Sequence, residues 1–118
     1  MPETSTPTPA AEMDRLLDLA QSRLSACPAA VRSDLAACIG YLRVMHATGD
    51  RSEASMAGLD RHHARAITLE SKGLDRHEDR ALSMMVMAIS ALRNNTDASN
   101  AQADRTLRQI RLAQDDRP

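Results

Sequence analysis

Cysteine, histidine and methionine side chains give this sequence its clearest potential for chemistry. Their thiolate, imidazole and thioether groups are soft ligands that together suit Cu(I). If the chain folds into antiparallel helices, Cys38, His63 and Met84 fall near the middle of the bundle and form a candidate soft-metal site. The alternative is that His63 is a hydrogen-bonded core histidine and that Met84 fills a gap in the core, as methionines commonly do.

The four histidines of the chain are too widely spaced to form a site of their own. In the antiparallel arrangement His46 lies beside the turn at one end, His63 lies about 18 Å from that end, and His77 lies at the opposite end. Ligands of one ion lie about 2 Å from it, so these three side chains cannot share an ion within one chain. His62 points away from the apolar stripe of its helix, and we expect it to be solvated.

The signals of catalysis are weak. The chain has no glycine-rich phosphate loop, no nucleophile elbow and no HExxH motif. Asp60 and His63 have the spacing found in the carboxylate and histidine pairs of di-metal bundles, but no second copy of the pair occurs. We therefore predict that the protein is not an enzyme and that it needs no cofactor.

A cluster of methionines in the second half of the chain suggests a binding surface. Flexible, polarizable thioethers let one surface pack against different partners. Met84, Met87 and Leu92 are the apolar residues predicted to make the contact, and Arg76 and Arg80 are predicted to lie at its rim. The apolar residues would dock onto another protein or onto a second copy of this chain while the arginines set the orientation. Helical spacing alone leaves open whether the methionines belong to the core.

Arginines recur every three residues along the last predicted helix. Arg105, Arg108 and Arg111 could contact the phosphates of a nucleic acid. Acidic residues in the same segment, a formal net charge of only −1 and an aromatic content of 1% argue against this function. Asp104 is also placed to pair with Arg108 one helical turn away, so a solvated charged face is the preferred interpretation.

Two similar segments, which begin at Gly58 and Gly73, lie at the centre of the chain. Both start Gly-Leu-Asp-Arg-His, and their apolar residues, Ile67 among them, recur in steps of three and four that place them on one face of a helix. We leave Gly58 inside a helix, at a cost of about 1 kcal/mol relative to alanine. Gly73 follows a lysine, as is typical of a helix C-terminus. We therefore predict a break at Gly73 into two helices rather than one helix of about forty residues.

Turn and capping residues divide the chain into five predicted helices. Residues 1–9, rich in Pro and Thr, are predicted to be a disordered tail before a single helical domain at 10–115. Asp50 and Glu53 form a pair that resembles a capping box, and residues 94–97 provide N-cap candidates. The predicted helices cover residues 10–26, 28–47, 51–72, 76–93 and 98–114. Short loops between helices of similar length favour an all-α fold, an up-and-down antiparallel bundle of four to five helices.

The composition narrows the class of protein. The chain lacks Phe and Trp, so its core buries less area per residue, and we expect a marginally stable monomer that self-association would stabilise. The N-terminus lacks the regions of a secretory signal, and no apolar run reaches the roughly 18 residues of a membrane span. Two cysteines are too few for a disulfide framework. We expect a soluble cytoplasmic protein, and fourteen arginines against one lysine favour a bacterial origin.

These features favour a non-enzymatic helical bundle that acts through protein–protein interaction, as an adaptor, a chaperone-like factor or a regulatory accessory factor. We expect it to self-associate, most simply as a homodimer, and to bind neither nucleic acid nor membrane. Soft-metal binding and nucleic-acid binding are the alternative functions.

Overall fold

The computed structural model describes residues 9–70 and 76–111, and within these ranges the chain forms five α-helices and no strand. The helices are α1 (Pro9–Ser22), α2 (Ala29–Thr48), α3 (Glu53–Glu70), α4 (Arg76–Asn94) and α5 (Asp97–Gln109), with a 3₁₀ turn at Leu24–Ala26 before α2. The predicted all-α fold is confirmed. Most of the predicted N-terminal tail, residues 1–8, lies outside the described residues, and α1 begins at Pro9.

Each helix packs against the next in antiparallel fashion. As one helix is followed forward, its contacts move backward along its neighbour: Asp34 with His62 and then Cys38 with Leu59 between α2 and α3, and Asp60 with Arg93 and then His63 with Val86 between α3 and α4. Helix α1 packs against both α2 and α5, which closes the bundle. The arrangement is the predicted up-and-down bundle.

Helices α3 and α4 are separate and pack against each other. The side chains of Asp60 and Arg93 meet at 2.7 Å although the residues are 33 positions apart, a separation of about 50 Å along one continuous helix. Helices α3 and α4 therefore run in opposite directions, and the two similar segments do not form one continuous helix. Gly73 itself lies outside the described residues.

The first helix ends earlier than predicted, at Ser22 instead of residue 26. The chain tightens into a 3₁₀ turn because the amides of Ala26 and Cys27 bond to carbonyls three residues back. Cys27 is extended, as the residue before a proline usually is. Pro28 is consequently the N-cap of α2 and not its first residue.

The predicted pairing of Asp50 with Glu53 at the start of α3 does not form. The Asp50 carboxylate instead accepts hydrogen bonds from the amide of Ser52 at 2.8 Å and from the hydroxyl of Ser55 at 2.6 Å. The Ser55 hydroxyl bond is the main reason that the pKa of Asp50 lies below its ordinary value. In a capping box the Asp50 carboxylate accepts from the amide of Glu53, and the Asp50 amide donates to the Glu53 carboxylate. Here Ser52 and Ser55 supply the donors to the carboxylate, and the Asp50 amide donates to the Thr48 hydroxyl.

Helix α5 begins with a complete capping box. The Thr96 hydroxyl accepts from the amide of Ser99 at 3.0 Å, and the Ser99 hydroxyl accepts from the amide of Thr96 at 2.9 Å. This confirms the N-cap predicted at residues 94–97. The helix ends at Gln109, before the predicted limit of 114, and Ile110 packs its side chain into the core as the C-cap.

The core is built from Leu, Met, Ala, Val, Ile and Cys side chains of all five helices. Only three large apolar side chains of the described residues are exposed, and they are Val44, Ile67 and Met87. Ile67 was predicted to lie on the buried stripe of its helix, and this prediction is wrong. Its neighbour Ala66 takes the central position of the stripe, and Ile67 lies at the edge. None of the described helices is long and apolar enough to cross a membrane.

Candidate functional site

A shallow groove of about 410 Å³ runs along the outside of the bundle where α3, α4 and α5 meet. Its lining residues come from all three helices: His63 and Ile67 from α3, Val86, Met87, Ser90, Ala91 and Asn94 from α4, and Ser99 and Gln102 from α5. The middle helix forms the floor, and hydroxyl and amide side chains form much of the rim. Neither an arginine nor a carboxylate lines this groove among the residues that the structure describes.

Two large apolar side chains of the groove are open to solvent. Ile67 is 41% exposed and Met87 is 54% exposed. Val86 and Ala91 beneath them are buried. Exposed apolar side chains that share one concave surface are typical of a binding site, whereas a single exposed apolar residue needs no explanation.

His63, one of the residues that line the groove, forms a hydrogen bond between α3 and α4. The Nε2 atom of His63 lies 2.9 Å from the carbonyl oxygen of Val86. A carbonyl can only accept a hydrogen bond, so Nε2 carries the proton and donates it. His63 is therefore the hydrogen-bonded histidine that the alternative interpretation of the sequence expected. The bond ties α3 to α4 between two residues that line the groove.

The predicted partner-binding residues divide between the surface and the core. Met87 and Arg80 are exposed, whereas Met84 is half-buried and packs against the core. Leu92 is 1% exposed and is a core residue, so it has to be removed from the predicted contact. It lies five residues after Met87, which is about 140° around the helix from it. Arg76 is the first residue of α4, and its side chain lies outside the described side chains.

Two of the three predicted soft-metal ligands, Cys38 and His63, contact backbone groups of different helices. The thiol of buried Cys38 lies 3.8 Å from the carbonyl oxygen of Leu59, and His63 Nε2 donates to Val86. Burial raises the pKa of the Cys38 thiol to about 12, which disfavours the thiolate form that a metal ion binds. No group of three or more His, Cys, Asp or Glu side chains in the described ranges could hold a metal ion. Nothing in this geometry favours the soft-metal alternative.

The arginines predicted to bind nucleic acid, Arg105 and Arg108 on α5 and Arg111 just after it, are partly engaged in other contacts. Arg108 binds the carboxylate of Asp104 at 2.8 Å, as the sequence predicted. Arg15 of α1 binds the same carboxylate. Arg111 is exposed but also takes part in an interaction. Arg105 is exposed, and one exposed arginine is a weak basis for binding phosphates.

A buried carboxylate is the main feature that the sequence analysis missed. Asp34 of α2 is 6% exposed, and its Oδ1 atom lies 2.8 Å from Nδ1 of His62 and 3.6 Å from Nε of Arg65. His62 was predicted to be solvated, and this is wrong because the ring is half-buried against Asp34. The signal was available, because Asp34 falls between Val31 and Cys38 at the helical spacing of the buried stripe.

Gly58 allows α2 and α3 to pack closely. A Cβ atom added at Gly58 would lie 2.7 Å from Cε1 of the Tyr41 ring. The ring therefore fills the space that a side chain at position 58 would occupy. From the sequence we count this glycine as a cost to the helix, whereas in the structure it is a packing requirement between two helices.

The chain matches no protein-family model, no curated protein and no solved structure. The groove and the bundle that holds it are therefore the basis for assigning a function.

Proposed function

We propose that this protein acts through protein–protein interaction and binds an apolar helix in the groove formed by α3, α4 and α5. The clustering of Ile67 and Met87 in one concave and largely uncharged surface carries this proposal. A helix that presents apolar residues at three- and four-residue spacing fits such a groove. Adaptors, chaperone-like factors and regulatory accessory factors work by contacts of this kind.

The size of the exposed surface indicates a weak interaction. Full burial of an Ile or Met side chain contributes about 1.5 to 3 kcal/mol. Both side chains are already about half covered, so a partner gains about 1 kcal/mol from each. Association costs several kcal/mol in lost translational and rotational freedom, so the partner must also contact the rim. We therefore expect a reversible complex that Ser90 and Gln102 help to orient.

The groove is largely preformed, which limits the cost of binding. Its floor belongs to the core of the bundle, because Val86 and Ala91 are buried. The hydrogen bond from His63 to Val86 holds the wall on α3 against that floor. A surface that is rigid before the partner arrives loses little conformational freedom on binding. The exposed Met87 side chain can still adapt to the shape of its partner.

Photo-crosslinking from inside the groove tests the proposal. A benzophenone amino acid replaces Met87 in one variant and Val44 in a control variant, and both are irradiated in the cells that produce the protein. Val44 is 60% exposed and lies on α2 in a different groove of the same volume, about 410 Å³, so it is a control matched in exposure and in shape. We expect a crosslinked polypeptide from position 87 that position 44 does not give. Adding Ile67→Asp to the position-87 variant should abolish this product, because an apolar partner would have to bury the new carboxylate, and burying an unpaired charge costs free energy.

Two results would overturn the proposal. One is that neither position gives a crosslinked polypeptide. The other is that both positions give the same products in the same amounts, which would mean that the crosslinks report random collisions and not a binding surface. If position 87 gives a product that position 44 does not give, the mass of that product identifies the partner.

A further inference from the structure

A second concave site, the end pocket, lies at one end of the bundle between the ends of α2 and α4. It has a volume of about 130 Å³ and shares no lining residue with the groove. Its floor consists of Met13, Leu42, Met45 and Leu92, and its rim includes His46 and Arg51. We propose that the end pocket binds a small carboxylic acid with an apolar body, a function separate from that of the groove.

The end pocket exists because two neighbouring helices end side by side and the chain turns away from both. Helices α2 and α4 run in the same direction, since each is antiparallel to α3. Each is followed by a left-handed residue that lines the pocket, Gly49 with φ 74° and Asn95 with φ 53°. A left-handed residue ends a helix and redirects the chain. The space between the two helix ends is therefore a pocket.

The floor of the end pocket belongs to the apolar core. Met13, Leu42, Met45 and Leu92 are each at most 4% exposed. They come from three different helices, so packing of the bundle fixes the shape of the floor before a ligand arrives. An apolar cavity of about 150 Å³ holds one benzene molecule. The end pocket therefore accommodates an apolar group of about that size.

The rim offers hydrogen-bond donors that the described protein groups leave unused. Arg51 is exposed and donates to the carbonyl of Arg93 at 3.4 Å, a long bond that uses only part of a guanidinium with five N–H donors. His46 is half-buried and makes no hydrogen bond with the described residues. The Asn95 Oδ1 atom accepts from Asn100, so the Nδ2 atom of Asn95 remains as a donor.

The charge at the rim selects an anion. Within the described ranges no Asp or Glu lines the end pocket, and Arg51 pairs with no carboxylate. Asp50 lies next to Arg51 in sequence, but its oxygens accept from Ser52 and Ser55 at the start of α3. The planar fork of a guanidinium matches the two oxygens of a carboxylate. A carboxylate of the ligand is therefore the partner that Arg51 lacks.

The helix ends determine that the ligand also needs an apolar body. The C-terminus of each helix carries about half a negative charge, so the ends of α2 and α4 oppose the binding of an anion by Arg51 alone. Burial of an apolar group on the floor supplies the remaining free energy. An inorganic anion lacks the apolar group, and a neutral apolar molecule lacks the carboxylate. Both should bind more weakly than a molecule that has the two together.

A titration of the unaltered protein with benzoate at pH 7 tests this ligand class. Nuclear magnetic resonance follows the amides of Gly49 and Asn95 and the methyl groups of Leu42 and Leu92, which report on the rim and the floor. We expect these signals to shift with a dissociation constant on the order of 1 mM. Benzamide has the same ring without the charge, and acetate has the same charge without the ring. Each should bind about tenfold more weakly or less than that.

Variants at the rim test the role assigned to Arg51. Arg51→Gln removes the charge and should weaken benzoate binding about tenfold or more. Arg51→Lys keeps the charge without the fork and should give an intermediate value. Arg61→Gln, a change at an exposed arginine of α3 that does not line the end pocket, should leave the dissociation constant unchanged. If Arg51→Gln does not fold, the comparison of benzoate with benzamide on the unaltered protein decides.

The chain's own N-terminal segment is the competing occupant, because α1 begins at this end of the bundle. Glu3 is the one carboxylate of residues 1–8. Glu3→Gln in the full chain should leave benzoate binding unchanged. Tighter binding by this variant would mean that Glu3 competes for Arg51, and it would overturn a free carboxylic acid as the occupant.

Three other results would overturn the proposal. One is that benzoate shifts none of the four signals up to about 20 mM. The second is that benzamide or acetate binds as tightly as benzoate. The third is that a folded Arg51→Gln binds benzoate as tightly as the wild type.

Discussion

His62 and His63 are neighbours in sequence, yet they belong to two regions of α3 with opposite properties. His62 lies in the α2–α3 seam, the contact made by Asp34, Cys38, Tyr41, Gly58, Leu59 and His62. His63 lies at the base of the groove. In the seam the buried Asp34 carboxylate is hydrogen-bonded and Leu59 is fully buried. In the groove Ile67 and Met87 are exposed. The seam therefore contributes to stability, and the groove is free to serve binding.

Removing the apolar contact of the seam should have the largest effect on folding. Leu59→Ala leaves a cavity beside α2, and we expect the free energy of unfolding to fall by about 3 kcal/mol. Ile67→Ala removes a side chain that is already 41% exposed, and we expect a loss below about 1 kcal/mol. Urea unfolding followed by circular dichroism measures both values. Equal losses for the two variants would contradict the division between seam and groove.

Replacing the histidine of the seam should lower the free energy of unfolding more than replacing the histidine of the groove. His62→Ala removes the 2.8 Å partner of the buried Asp34 carboxylate and leaves Arg65 at 3.6 Å, and we expect a loss of about 2 kcal/mol. His63→Ala leaves the carbonyl of Val86, which lies inside a helix and keeps its helix bond, so we expect a loss of about 1 kcal/mol. Urea unfolding of the two variants gives the comparison. A larger loss for His63→Ala would mean that the groove is the more important contact for folding.

Two glycines inside helices should respond to alanine in opposite ways. Gly58→Ala places a Cβ atom against the Tyr41 ring, and we expect a loss of about 1 to 2 kcal/mol from overpacking. Gly40 is exposed on α2 and no atom lies within 4 Å of the added Cβ, so Gly40→Ala should raise stability by up to about 1 kcal/mol. Thermal unfolding of the two variants checks the signs. Stabilisation by Gly58→Ala would show that the ring yields easily and that the seam is loosely packed.

A charged network between α1 and α5 should make a smaller contribution that depends on pH. The hydrogen bond from Arg15 lowers the pKa of Glu12. Burial acts to raise the pKa of Asp104, but hydrogen bonds from Arg108 and Arg15 outweigh it and hold that pKa below its ordinary value. Carboxyl groups with a lowered folded-state pKa stabilise the protein fully above about pH 5, and the contribution is lost as the pH falls through the lowered values.

The network is partly exposed, so we expect less than about 1 kcal/mol from it. Arg15→Gln removes the shared partner of Glu12 and Asp104. The stability of this variant should therefore fall less steeply between about pH 5 and pH 3 than that of the wild type. Urea unfolding at a series of pH values measures the slope. Identical slopes would show that the network does not contribute to stability.

The sequence was sufficient to predict the helices but not all of their ends. Apolar residues at three- and four-residue spacing located all five helices, because that spacing follows from helix geometry alone. The residue that follows α1 also makes a contact with a distant part of the chain. The Arg23 guanidinium donates to the carbonyl of Leu107 on α5 at 3.2 Å, and a contact between residues 84 positions apart has no local signal.

Only some residues of the groove were predicted. Helical periodicity identifies an apolar face, but it does not show which residues at the edge of that face are buried by neighbouring helices. Ala66 and Ile67 are adjacent in the same pattern, yet one is fully buried and the other is exposed. Which of them is covered depends on how the neighbouring helices lie. Met87 was predicted as a contact residue and is exposed, whereas Leu92 was predicted with it and is buried. The Asp34 carboxylate could have been found from its place in the apolar stripe of α2.

Oxidation of the methionines tests the central claim most directly. Hydrogen peroxide converts exposed methionines to sulfoxides faster than buried ones, and mass spectrometry of peptides measures the rate at each position. Met87 is 54% exposed, and Met85 two residues earlier is fully buried. If the groove binds a partner, Met87 should oxidise rapidly in dilute purified protein and slowly in a concentrated lysate of the cells that produce it, relative to free methionine added to both, while Met85 stays slow in both. A Met87 that oxidises as slowly as Met85 in the purified protein would contradict the exposed groove, and one that oxidises as rapidly in the lysate would contradict its occupation.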